Sequence, residues 1–129
     1  MKKFTLTFSC YTYNALTQVS ENGVVSFRNA FASIQSNPGF PLSSADVIIA
    51  PFWDDSNVEI SGQTFYRFSE NRTLLDHVES LINERSFTPS SLFIATWDRV
   101  AEFGGITNVV RHTATVTIII QRQIGRTIV

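Results

Sequence analysis

The chain has 129 residues, 43% hydrophobic and only 16% charged, with eleven Phe and two Trp; it is too apolar to stay disordered and can bury roughly two thirds of its unfolded surface. Ten Lys/Arg against eleven Asp/Glu leave a formal charge of −1 with the basic residues scattered, so the concentrated positive field that nucleic acid or an anionic membrane surface requires is missing. One cysteine, Cys10, excludes an internal disulfide and a multi-cysteine zinc site; it is either a buried small apolar residue or the partner of a cysteine on another segment.

Lys2-Lys3 is followed by Phe4, Leu6 and Phe8 alternating with Thr5 and Thr7, which reads as a half-buried strand and not as the unbroken apolar core of an export signal. Asn22-Gly23 separates Thr17–Ser20 from Val24–Phe27. Both residues tolerate positive φ, so the pair predicts a two-residue type I′ hairpin turn. Val47–Ala50 reads as a buried central strand stopped by Pro51. Gly62 separates a strand at Val58–Ile60 from one at Thr64–Phe68.

Leu74, Leu75, Val78, Leu81 and Ile82 form one apolar stripe at helical spacing. Thr73-x-x-Asp76 offers a hydroxyl cap and a carboxylate for the first turn, so a helix is expected from about 73 to 85, ending before Thr88-Pro89. Leu92–Trp97 reads as a second buried central strand. Ala114, Val116, Ile118 and Ile120 alternate with Thr113, Thr115 and Thr117, the clearest strand pattern in the chain. The expected class is β-rich α+β, an antiparallel sheet or sandwich with one covering helix, in a single domain spanning 1–129. No stretch approaches the roughly eighteen apolar residues that a membrane span needs, so direct membrane insertion is not expected.

Three strings recur in a fixed order: Asn22-Gly23 within Val-Ser-Glu-Asn-Gly-Val-Val-Ser-Phe (19–27), Ala-Pro-Phe-Trp-Asp (50–54) and Ala-Thr-Trp-Asp-Arg-Val (95–100). With Phe40-Pro41-Leu42 before the second string and Tyr66-Arg67 after it, this arrangement resembles the extracellular nidogen-like (NIDO) domain. The likeness runs from about Phe8 to the Thr107-Asn108 region. The family occurs in basement-membrane nidogens, in tectorin and in some membrane mucins and adhesion proteins. The chain departs from the family's pattern at the end, where Thr107-Asn108 is followed by Val109-Val110-Arg111-His112 in place of the usual closing strand. Because family members carry further modules, the resemblance implies a fragment of a larger multidomain chain.

Pro51-Phe52-Trp53-Asp54-Asp55 reads structurally: Pro51 ends a strand, Phe52 and Trp53 fill the core, and the acids begin a polar turn. Asp54 and Asp55, with Glu59 or Asp46, are the candidate calcium ligands, although their spacing matches no known calcium loop. Trp97 continues the Phe93, Ala95 alternation and reads as core, with Asp98 and Arg99 a solvated pair at the strand end. His77 sits at the flank of the helical stripe and His112 in a polar, exposed stretch. Neither belongs to a motif that places a nucleophile beside it, so no catalytic residue and no cofactor are expected. Phe103-Gly104-Gly105 lacks the lysine and spacing of a phosphate loop and reads as a turn. Asn71-Arg72-Thr73 is an N-glycosylation acceptor sequence.

What the resemblance implies is a non-enzymatic extracellular module supporting cell–matrix adhesion or matrix assembly, whose partners are matrix or cell-surface proteins. The alternatives are a purely structural, self-assembling unit of a large glycoprotein and a small hydrolase. Asn22, Gly23, Pro51, Phe52, Trp53 and Trp97 carry the family pattern and are read as structural.

Overall fold

The alternating apolar stretches become strands paired edge to edge. A computed structural model describes residues 4–8, 11–15, 17–27, 47–82, 87–104 and 111–121. The elements run β1 (Phe4–Phe8), β2 (Tyr11–Ala15), β3 (Thr17–Ser20), β4 (Val24–Phe27), β5 (Val47–Ile49), β6 (Ser56–Asn57), β7 (Gln63–Ser69), α1 (Arg72–Ile82), β8 (Pro89–Glu102) and β9 (Arg111–Gln121). Cys10, Asp46, the 40–42 string, residues 83–85 of the expected helix end, Gly105, the 107–110 departure and the tail after 121 lie outside the described residues.

The described residues form three sheets: β1 with β2, then β3-β4-β5, then β6-β8-β7 with β9 also on β8. β1 and β2 are antiparallel with Phe4 opposite Ala15 and Phe8 opposite Tyr11. β4 is antiparallel to β3 and to β5. β8 and β9 also run in opposite directions, since Ser90 bonds to Ile120, Thr96 to Thr115 and Arg99 to Thr113. The strand-rich make-up with a single helix among the described residues is the β-rich α+β class expected.

The chain divides into two compact units, Met1–Tyr66 with Ala95–Val116 and Arg67–Ile94 with Thr117–Val129. In the first, Val24, Val25, Phe27, Ala95, Trp97, Val100 and Ala101 are buried. Ser26 is buried as well, so β4 is covered on both faces. In the second, Leu75, Leu92, Phe93 and Ile118 are buried.

Four expectations are corrected. The hairpin turn has three residues, Glu21, Asn22 and Gly23, with Ser20 opposite Val24 and the Gly23 amide donating to the Ser20 carbonyl at 3.3 Å. Gly23 has φ +79°, whereas Asn22 is not in the left-handed region, because its side chain turns inward to a partner described below. Val58–Ile60 is a turn and not a strand; pairing stops at Asn57, whose side chain accepts from the Glu59 amide at 2.8 Å. β5 is half-buried and not buried, and among the described residues it pairs only with β4.

The helix, finally, is capped by Asn71 and not Thr73. The Asn71 Oδ1 accepts from the Leu74 amide at 3.1 Å, and its carbonyl accepts from the Leu75 amide at 3.0 Å. Asp76 thereby falls beyond the first turn and pairs with Arg72 at 2.7 Å, one turn apart. The apolar stripe is buried at Leu75 but runs out into solvent at Leu81, which is 70% exposed.

Candidate functional site

The family-pattern residues converge within the first compact unit, and the hairpin turn organises them. Asn22 is buried; its Oδ1 accepts from the Ser56 amide at 2.9 Å and its carbonyl from the Asp54 amide at 3.3 Å. One residue thus satisfies two backbone donors of the segment that follows Pro51. Ser56 is itself buried, so its amide needs that partner. Gly23, next along, lies against Phe52: a Cβ placed there would fall 2.5 Å from Phe52 Cδ2 and from its carbonyl oxygen.

Trp97 on β8 is fully buried, at 0% exposure. Its Nε1–H donates to the Ser20 carbonyl at 2.8 Å, which ties β8 to the end of β3. Phe52 meets Trp97 edge to face, ring centroids 5.6 Å apart and planes at 78°. Phe52 also stacks on His112, at 4.6 Å and 14° from parallel. The three strings therefore meet in one cluster around the half-buried Phe52.

His112 departs from its expected exposed setting. It lies near the start of β9 with its side chain 21% exposed, and Nε2 stands 3.2 Å from Asp54 Oδ2. The other Asp54 oxygen, Oδ1, accepts from the Asp55 amide at 2.9 Å. Stacking on Phe52 explains the placement, since the ring covers apolar surface while its edge reaches a carboxylate at the rim. Phe52 and Trp53 are both half-buried instead of filling the core, and Pro51 is exposed.

The strand end expected at Asp98–Arg99 lies inside β8. Arg99 has φ +52°, the only non-glycine residue in the left-handed region among those described. Its amide donates to Thr113 Oγ1 at 3.2 Å and its carbonyl accepts from Ser61 Oγ at 3.2 Å, so side chains replace regular ladder partners there. Burial alternates at Ala95 and Trp97 before this point and resumes out of phase at Val100. The Asp98 and Arg99 side chains pair with each other at 3.1 Å on the surface.

Chemically this is a packed interior with one carboxylate–imidazole contact at its edge. Ser56 Oγ donates to the Asp54 carbonyl at 3.3 Å, and His77 is exposed on α1, so no described hydroxyl is held against either imidazole. Among the described residues no group of three or more His, Cys, Asp or Glu is placed to hold a metal ion, and both Asp54 oxygens already have partners. Asp55 lines a concave surface of about 580 Å³ together with Glu21, Glu59 and Phe103. Phe103, 60% exposed, stands at its border. No described helix is long and apolar enough to cross a membrane.

The signals missed in the sequence were of two kinds. The indole N–H of Trp97 called for a buried acceptor, which the residue type announces without naming Ser20. The Asp54–His112 contact joins residues 58 apart with no local pattern.

The profile of the Nidogen-like domain family matches residues 14–124, nearly the whole chain. The chain belongs to the nidogen-like domain family. This nidogen-like chain is similar to alpha-tectorin of Mus musculus, 35% identical over 92 residues, and to alpha-tectorin of Gallus gallus and of Homo sapiens, at 37% and 34%. The matched stretch is 67% of this chain but 4% of each tectorin, so the chain spans only a small part of those relatives. No solved structure matches.

Proposed function

We propose that this nidogen-like chain is a non-enzymatic extracellular module that supports cell–matrix adhesion or matrix assembly, with matrix or cell-surface proteins as partners. The observation that carries the reading is the family match over residues 14–124, to which alpha-tectorin likeness adds. The Phe52–Trp97–His112 packing supports it, because Asn22, Gly23, Phe52 and Trp97 of the family pattern are engaged in holding the fold. Recognition then falls to loop tips such as the border around Phe103 and Glu21, where side chains are free of the core.

The test is direct binding. The chain, exported from animal cells and purified, is passed over immobilised matrix extract and over living cells. Saturable binding that is lost on Phe103→Ala, with an unchanged melting temperature, supports adhesion through that border. Concentration-dependent self-association with no affinity for either surface replaces it by the self-assembling alternative. Turnover in a hydrolase screen that disappears on His112→Ala overturns both.

A further inference from the structure

The acceptor sequence Asn71-Arg72-Thr73 lies in the second compact unit at the entry to α1, with all three residues exposed. The Asn71 amide is divided in its duties. Oδ1 caps the helix through the Leu74 amide at 3.1 Å, while Nδ2 makes no hydrogen bond among the described residues. Arg72 turns its guanidinium down the helix to Asp76 at 2.7 Å and towards Glu79 at 3.9 Å, away from the Asn71 side chain. Neither position 72 nor position 74 is proline, which would block the acceptor sequence or the turn.

We infer that Asn71 carries an N-linked glycan while remaining the N-cap of α1, one amide serving both roles through its two different atoms. In the transfer, Nδ2 bonds to C1 of an oligosaccharide supplied as a lipid pyrophosphate ester. The C1–oxygen bond to the pyrophosphate breaks, the lipid pyrophosphate leaves with that electron pair, and the proton lost from Nδ2 goes to a base of the transferase. Oxidation states do not change, and the carbonyl oxygen that caps the helix is untouched. The sugar therefore projects from the start of α1 without costing the helix its cap. The inference rests on the exported-module reading, since the glycan donor is met on the export route.

The experiment expresses the full 129-residue chain behind an export signal in animal cells, with Asn71→Asp, Asn71→Ala and Thr73→Ala variants. Intact mass before and after an amide-cleaving glycosidase is read together with thermal melting. The enzyme releases the sugar and leaves aspartate at 71, itself a good cap. The expected results are a glycosidase-sensitive mass on the wild type alone among the four, and deglycosylated wild type melting with Asn71→Asp. Thr73→Ala loses the sugar but keeps the cap. Asn71→Ala loses both and melts on the order of 3–5 °C below Thr73→Ala. A secreted wild type without sugar, beside a control glycoprotein modified in the same cells, overturns the glycan. Equal melting of Asn71→Ala and Asn71→Asp overturns the shared role. Unglycosylated chain that still binds matrix defeats this inference and leaves the module reading standing, whereas glycosylated chain without matrix affinity does the reverse.

Discussion

Gly23 and Phe52 touch backbone to ring: any side chain at 23 would begin 2.5 Å from the Phe52 Cδ2 atom. The same glycine holds φ +79°, a region that costs an L-residue roughly 1–2 kcal/mol. Gly23→Ala therefore meets two penalties at once, conformational and steric. A loss of roughly 2–4 kcal/mol in urea unfolding is expected, combining that strain with overpacking of the ring. A loss below about 1 kcal/mol would mean that Phe52 moves aside at little cost.

Asn22 yields a prediction about hydrogen-bond supply. In Asn22→Ala the buried Ser56 amide loses its acceptor, a cost of about 1–3 kcal/mol for an orphaned group. Asn22→Asp keeps an oxygen in place but buries a carboxylate, so it is also expected to destabilise the fold. Amide hydrogen exchange at Ser56 is the sensitive readout. It should accelerate in Asn22→Ala by more than the global loss of stability accounts for.

The two tryptophans should be separable by light. Trp97 is enclosed and hydrogen-bonded to Ser20, while Trp53 is half-buried. Trp53→Phe is expected to leave a blue-shifted emission resistant to acrylamide; Trp97→Phe leaves the more quenchable signal. Trp97→Ala should cost about 3–5 kcal/mol, as for a large buried aromatic residue, with the Ser20 carbonyl losing one donor and keeping the Gly23 amide as another. Equal quenching of both single-tryptophan proteins would contradict the assigned burial.

His112 is expected to contribute more by its face than by its edge. A double-mutant cycle of His112→Ala with Asp54→Ala should give a coupling below about 1 kcal/mol, because the Asp54 side chain is 45% exposed. His112→Phe retains a ring against Phe52 and should recover most of the stability lost in His112→Ala, the stack being worth about 0.5–1.5 kcal/mol. A large coupling with no rescue by phenylalanine would assign the carboxylate contact the main role.

Calcium supplies a final check. With both Asp54 oxygens engaged and no group of three or more His, Cys, Asp or Glu placed to hold a metal ion among the described residues, the melting temperature is expected to be the same in millimolar calcium and in chelator. A rise on adding calcium would require ligands beyond Asp54 and Asp55.

These particulars show how far the sequence could be read. Period-two alternation marked Phe93–Trp97 of β8 and Thr113–Ile118 of β9, because along those stretches one face is more buried than the other and composition records that directly. The hairpin was placed correctly but given the wrong turn: Asn-Gly tolerates a two-residue loop, and the three-residue one is held by bonds that include the tertiary ones from Asn22 to Ser56 and Asp54. Capping failed by two residues because asparagine and threonine are both competent caps and Asn71 comes first. Arg99 could not be foreseen at all. Its left-handed backbone is held by Thr113 and Ser61, which are distant in sequence, and Gly62 leaves the space that its carbonyl occupies.

The ties around Phe52 also govern when this interior can form. The Ser20–Trp97 bond spans 77 residues and the Asp54–His112 contact 58, so closing the cluster requires large loops to be ordered before their reward arrives. Such wiring places the domain among the slower folders, on a scale of milliseconds to seconds. During synthesis the hairpin and the Pro51–Asp55 loop emerge long before Trp97 and His112, so the nascent chain waits with Phe52 uncovered until both have left the ribosome. That interval is when a chaperone would have the most to hold.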